Sequence, residues 1–123
     1  MEKLLPVVMK ARPQAILFEA ANPRHAHEWK VFREMKSAVP EEKLLVPGVL
    51  GTTTNYVEHP ELVAERLQRF ADIFGRERIL AGTDCGFGTF AGFGPVDPDI
   101  VWLKLKSLVD GAELASRRLW GRR

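Results

Sequence analysis

Three short apolar runs, each followed by a helix-like segment, constrain this chain more than any other feature. Gln14 to Glu19 (QAILFE), Lys43 to Leu50 (KLLVPGVL) and Arg78 to Thr83 (RILAGT) are apolar almost throughout. Strands of that kind are buried on both faces, as in parallel sheets covered by helices. The first run leads through the turn signal Asn22-Pro23 into His25 to Ala38. There Val31, Met35 and Ala38 fall at helical spacing with Trp29 and Phe32 beside them, and Pro40 stops the segment. The second leads into Glu61 to Phe74, where Val63, Leu67, Phe70 and Phe74 share a face and Gly75 stands at the C-terminal cap. The third leads into Pro98 to Trp120, where Val101, Leu105, Leu108, Ala112, Ala115 and Leu119 keep a helical period. A further helix is expected from Glu2 to Arg12, with Pro6 in its first turns. The order is one helix, then strand and helix three times. It predicts an α/β fold with three parallel strands and right-handed helical crossovers.

Three such units are few. A closed βα barrel needs eight strands and about 250 residues, and this chain has 123. A three-stranded parallel sheet leaves two open edges and uncovered apolar surface, so the chain is expected to be part of something larger and to associate through those edges. No apolar run approaches the roughly 18 residues of a membrane span, and residues 1–13 lack a signal layout. The expected location is the cytoplasm. The single cysteine, Cys85, excludes an intrachain disulfide and suits a reducing compartment. Net charge is +2, with acidic and basic residues interleaved. The one basic cluster, Arg117, Arg118, Arg122 and Arg123, could touch nucleic acid or lipid. It also suits a solvated helix end, where cations complement the dipole. The second reading is preferred, and neither nucleic acid nor membrane is expected as a partner.

The polar segments follow the strands, which is the functional edge of βα folds. After the first come Glu19, Asn22, Arg24, His25 and His27. A carboxylate at the end of an apolar strand must be paired, protonated or metal-bound. Arg24, or a cation elsewhere in the fold, is the candidate for pairing, while His25 and His27 are read as surface or capping residues rather than ligands. After the second strand Thr52, Thr53, Thr54 and Asn55 could bind a polar substrate or cap the next helix, and His59 before Pro60 reads as a turn residue. After the third, Cys85 opens a glycine-rich loop from Gly86 to Gly94 that lacks dinucleotide-fingerprint spacing. The thiol could be a nucleophile, a zinc ligand or inert. One Glu and one Cys are by themselves a weak metal signal, since zinc sites use three or four ligands.

The strings FEAANPRHAHEW, PGVLGTTTNYVEHPELVAERLQRFA, AGTDCGFGTFAG and VWLKLKSLVDGAELASRRLW resemble the end of the catalytic domain of cobalamin-independent methionine synthase-like proteins. The resemblance runs from about Ala15 to Trp120. It implies a partial (β/α)8 TIM barrel, its last three βα units, with residues 1–123 as a C-terminal fragment of the catalytic barrel. It also implies a zinc site, for which Glu19 matches the family's glutamate ligand and Cys85 its last cysteine ligand. The family's His-x-Cys pair has no counterpart: Cys85 is the only cysteine and no histidine precedes His25. The activity implied is transfer of a methyl group from a methyltetrahydrofolate polyglutamate to the thiol of homocysteine, forming methionine. A related branch, also similar, joins coenzyme M to an epoxide. The alternative is a truncated, inactive chain, or a structural subunit that completes a barrel with another chain. An unrelated small α/β binding domain is the remaining reading.

Overall fold

The structure, a computed structural model, describes residues 1–88 and 91–121. Thr89 and Phe90 of the glycine-rich loop, and Arg122 and Arg123 of the basic cluster, lie outside the described residues. The elements in chain order are α1 (Leu5–Val8), β1 (Ala15–Phe18), α2 (Trp29–Glu34), β2 (Leu44–Leu50), α3 (Pro60–Phe74), β3 (Gly82–Thr83) and α4 (Pro98–Trp120). The three strands form one parallel sheet in the order β1-β2-β3. Ala15 to Phe18 pair with Leu44 to Pro47, and Gly48 and Leu50 pair with Gly82 and Thr83 across a register shift. The expected α/β class and parallel order therefore hold, with several boundaries moved.

The third strand is shorter than the apolar run suggested. Contact with β2 begins at an isolated bridge between Leu45 and Ile79 and ends where the Asp84 amide donates to the Leu50 carbonyl, 3.0 Å away. Between them the shift at Gly48/Leu50 breaks the ladder, as a bulge does. Arg78 is withdrawn from the strand because its guanidinium caps the carbonyls of Pro40 (2.6 Å) and Lys43 (3.0 Å). The first helix is one turn rather than three. Proline is accepted only at a helix start, and Pro6 sits in the first turn of α1. The second helix begins at Trp29, not His25, because residues 22–28 are drawn into turns at the end of β1.

Two apolar clusters hold the layers together. Leu5, Met9, Ile16, Phe32, Leu45, Phe70 and Phe74 pack beneath β1 and β2. Phe18 stacks on Phe32 with centroids 4.4 Å apart, and Phe70 meets both rings edge-on. Val49, Leu50, Val63, Ala64, Leu67 and Ala115 form the second cluster between β2, α3 and α4.

The buried face of α4 overlaps the apolar stripe that the periodicity picks out, sharing Ala115 and packing Leu108 and Ala112 against the core, but its centre is shifted to one side. Lys104, Ser107, Gly111 and Ala115 are its buried residues, while Leu105, Leu108, Ala112 and Leu119 are half-buried. Close helix approach decides this: a Cβ on Gly111 would lie 2.5 Å from Val63 and 2.8 Å from the Pro60 carbonyl oxygen. At its end Arg118 Nη2 donates to both carboxylate oxygens of Glu61, and Arg117 pairs with Glu113. The described half of the basic cluster is thus engaged on the protein surface. No helix of the described residues is long and apolar enough to cross a membrane.

Candidate functional site at the strand ends

Parallel strands bring all three C-terminal ends to one mouth. β1 runs out at Phe18, whose ring is anchored against Phe32, so Glu19 is carried past the core. β3 runs out at Thr83, whose hydroxyl donates to the Cys85 carbonyl at 2.9 Å and turns the chain. The Glu19 carboxylate and the Cys85 thiol meet there, with Cys85 Sγ donating to Glu19 Oε1. The other oxygen of Glu19 accepts from Asn22 Nδ2 at 3.0 Å and stands 3.4 Å from His25 Nε2. The Glu19–Arg24 pair expected from spacing does not form. Glu19 is held instead by Cys85, Asn22 and His25, and the Arg24 backbone amide donates to Asn22 Oδ1.

His25 is partly exposed and caps no helix. Its ring joins Glu19 to the buried carboxylate of Glu28, 2.9 Å from Nδ1. Burial raises the Glu28 carboxyl, but hydrogen bonds from His25 and the Met1 ammonium, with their charges, bring it below the ordinary value. His27 is exposed.

The segment after β2 forms the third wall. Thr52 is buried and lines the cleft together with Cys85. The next helix is capped by His59, whose Nδ1 accepts from the Glu61 amide at 3.1 Å, and not by the threonines or Asn55. Asn55 ties this segment to the one before α4, donating to the Pro95 carbonyl (3.1 Å) and accepting from the Asp97 amide (2.9 Å). Glu58 fixes the whole turn. One oxygen accepts from the Gly51 amide at 2.8 Å and the other from Lys104 Nζ at 2.7 Å. Lys104 is fully buried and also donates to the Tyr56 carbonyl. Such a charge is tolerated only because it is paired and hydrogen-bonded.

Glu19, Asn22, His25, Thr52, Thr53, Asp84 and Cys85 line a polar cleft of about 410 Å³. The Glu19 carboxylate, hydrogen-bonded to the thiol, pushes Cys85 above the ordinary thiol range. Partial burial and the charges of Glu19 and Asp84 act the same way, against the hydrogen bond with Thr52. A protonated thiol is a poor nucleophile, so by itself the pair is a held thiol, not an activated one. Arg66 approaches from α3, where burial lowers its pKa against the raising charges of Glu58 and Asp84, and donates to the Val49 carbonyl at 3.0 Å.

Compared as a whole, this arrangement of strands and helices has a counterpart among solved structures. The chain is folded like part of a methionine synthase. The match is to the B12-independent methionine synthase from Shewanella sp. W3-18-1, solved in complex with selenomethionine, with a TM-score of 0.74 and 22% sequence identity. It covers 98% of this chain and 31% of that one. No family model and no curated protein sequence matches the chain.

The donor types suit a thiophilic divalent ion. A thiolate and a carboxylate are both zinc donors, and here they already converge on one point. No third His, Cys, Asp or Glu joins them in a metal-holding cluster among the described residues. The pair fits half of a zinc donor set. Sequence reasoning gave Asp84 no role, Asn22 only a place in a turn signal, and Thr52 a place among the hydroxyls that could bind a polar substrate or cap a helix. Their one signal was position, as polar side chains just past an apolar strand.

Proposed function

We propose that this chain supplies part of a zinc-held thiol-alkylation site of the methionine synthase type, on an arc of a (β/α)8 barrel. Glu19 and Cys85 would be two of the metal's donors, homocysteine or a similar small thiol the acceptor, and a methyltetrahydrofolate-type molecule the methyl donor. The observation that carries the reading is the meeting of Cys85 Sγ and Glu19 Oε1 at the mouth of the sheet, from residues 66 apart in sequence. The likeness in fold to a methionine synthase supports it. A zinc ion bound there supplies the Lewis acidity that keeps a thiol ionised at neutral pH.

The chain's own residues prepare that role. Asn22 turns one Glu19 oxygen outward from Cys85 by donating to it, leaving the other at the thiol. His25 links Glu19 to Glu28, a contact that orients the carboxylate. Thr52 and Thr53 offer hydroxyls along the cleft where a polar substrate would lie. The remaining donors and most substrate contacts would come from outside these 123 residues.

Titration with Co(II) tests the reading, because a thiolate bound to cobalt gives a charge-transfer absorption. The wild-type chain should show it, Cys85→Ala should remove it and Glu19→Gln should weaken it. Binding will be weak with two donors, so the titration runs to high metal concentration. A wild-type chain without the band overturns the zinc assignment.

A second reading, a chain whose sheet is completed by another polypeptide, is favoured by the bare side of the sheet. Leu17 of β1 is 69% exposed, and Leu80, just before β3, 47%. Sedimentation of the purified chain with and without a hydrophobic dye tests it: a dye-silent monomer counts against an uncovered face.

A further inference from the structure

Asp84 lies beside Cys85 in sequence, yet both its oxygens are taken by groups from the opposite strand end. Oδ1 accepts from the amides of Ala20 and Ala21, each at 2.9 Å. Oδ2 accepts from the Asn22 amide at 2.8 Å and from Asn22 Nδ2 at 2.9 Å. A carboxylate offers about four lone-pair sites, and here four donors use them. Three successive backbone amides converging on one point form an anion-binding concavity, filled in this chain by its own side chain. Asp84 is therefore already spent and is not free to act as a donor to a metal or a base toward substrate.

The contacts close a ring around the thiol. Asn22 Nδ2, held by Asp84, also donates to Glu19 Oε2 at 3.0 Å, and Glu19 Oε1 meets Cys85, the residue after Asp84. The ring spans β1 and β3 across the central strand, which must leave room for it. Gly48 of β2 leaves that room: a Cβ there would lie 2.3 Å from Asp84 Oδ1 and 2.7 Å from Asp84 Cα. No flexible side chain could yield to that contact, since backbone is among the atoms struck.

We infer that Asp84 is the positioning residue of the Glu19–Cys85 pair, clamping the end of β1 onto the end of β3 and, through the Asn22 amide, setting where the Glu19 carboxylate points. The purpose of the pair rests on the function proposed above; the clamp does not, because it is complete without a metal. Asn22 is the part of the clamp that carries orientation, and the backbone contacts are the part that carries proximity.

Alkylation of Cys85 by iodoacetamide, at one mildly alkaline pH and without metal, reads the position of Glu19. A carboxylate held against the thiol suppresses the reactive thiolate. Glu19→Gln should speed alkylation roughly fivefold. Asn22→Ala and Asp84→Glu both conserve net charge, and Asn22→Ala leaves the Asp84 carboxylate beside the thiol in place. Each should speed alkylation by a similar factor, and neither should add to Glu19→Gln in the double variant, as expected for residues acting through one another. Multiplying factors would mean that the substitutions merely loosen the loop, and wild-type rates in the single variants would mean that Glu19 needs no clamp; either result overturns the inference. Asp84→Glu should also speed hydrogen exchange at the Ala20, Ala21 and Asn22 amides. If it does not fold, Asn22→Ala, which leaves the backbone contacts of Asp84 intact, decides the question. Failure of the cobalt titration with the expected alkylation cycle would remove zinc and leave the clamp standing.

Discussion

The mouth of the sheet and its bare side are opposite in how far this chain completes them. At the mouth the carboxylates of Glu19, Glu58 and Asp84 all have partners within the chain. Asp84 takes four donors, Glu58 joins Lys104 to the Gly51 amide, and no buried side-chain nitrogen or oxygen of the described residues is left without a hydrogen bond. On the bare side apolar groups face outward, Leu17 and Leu80 among them, and Trp102 and Val109 are exposed on α4 as well. Hydrogen bonds are satisfied locally by a few well-placed groups, whereas burial of apolar surface needs a covering layer. The site region is thus internally braced while the surface around it is unfinished.

The sharpest way to break that contrast is to remove a buried charge from the braced region. Lys104→Ala leaves Glu58 unpaired under α4 and should cost about 3–5 kcal/mol, read as a lower denaturant midpoint in urea unfolding. A loss of well under 1 kcal/mol would mean that water replaces the lysine and the turn after β2 is not braced by it. Next in size is Gly48→Ala, whose added methyl strikes Asp84. Overpacking of this kind costs about 1–3 kcal/mol. The loss should appear in thermal unfolding together with fast exchange at the Ala20–Asn22 amides, and slow exchange at those amides would show that the strand ends can part without opening the clamp.

A smaller effect is expected from acid. The folded-state pKa of Glu28 lies below its ordinary value, so its stabilising contribution is full above the ordinary carboxylate range. It is lost as pH falls through the lowered folded value. Melting temperature should therefore decline on acidification below that range, and Glu28→Gln should flatten the decline. An unchanged slope would remove Glu28 from the set of braced groups. The smallest effect belongs to the bare side. Leu17→Thr should leave stability within about 0.5 kcal/mol of wild type while reducing dye binding, because Leu17 has little to lose by exposure. A large destabilisation would show that Leu17 is covered in solution.

Much of the architecture is legible in the residues. The apolar run at Gln14 to Glu19 contains β1, that at Lys43 to Leu50 contains β2, and α3 and α4 begin within one residue of the sequence expectation or at it. Gly75 does end α3, with φ 94°. Glu19 and Cys85 stand out for the same reason in both views, as polar groups at the exits of apolar strands. The misreadings share a cause. Periodicity records what could be buried, and it cannot register that Gly111 allows a close approach that turns Lys104 and Ser107 inward. Nor can spacing choose among partners for Glu19: Arg24 was near in sequence, while Cys85 and the Asp84–Asn22 link arrive through the parallel pairing of β1, β2 and β3.

By itself, then, the sequence determined the α/β class, the parallel order of strands and the edge of the sheet where polar chemistry collects. Each of these follows from the local alternation of apolar strands with amphipathic helices, a property of neighbours along the chain. The resemblance implies Glu19 and Cys85 at one site, but only the tertiary structure decided that the thiol and the carboxylate, 66 residues apart, touch directly and that an aspartate holds the strand ends there. It also decided which face of α4 is buried. Those depend on the distance between strand ends and between helices, set by the smallest side chains at the contacts, Gly48 and Gly111, whose effect appears only when the elements are packed.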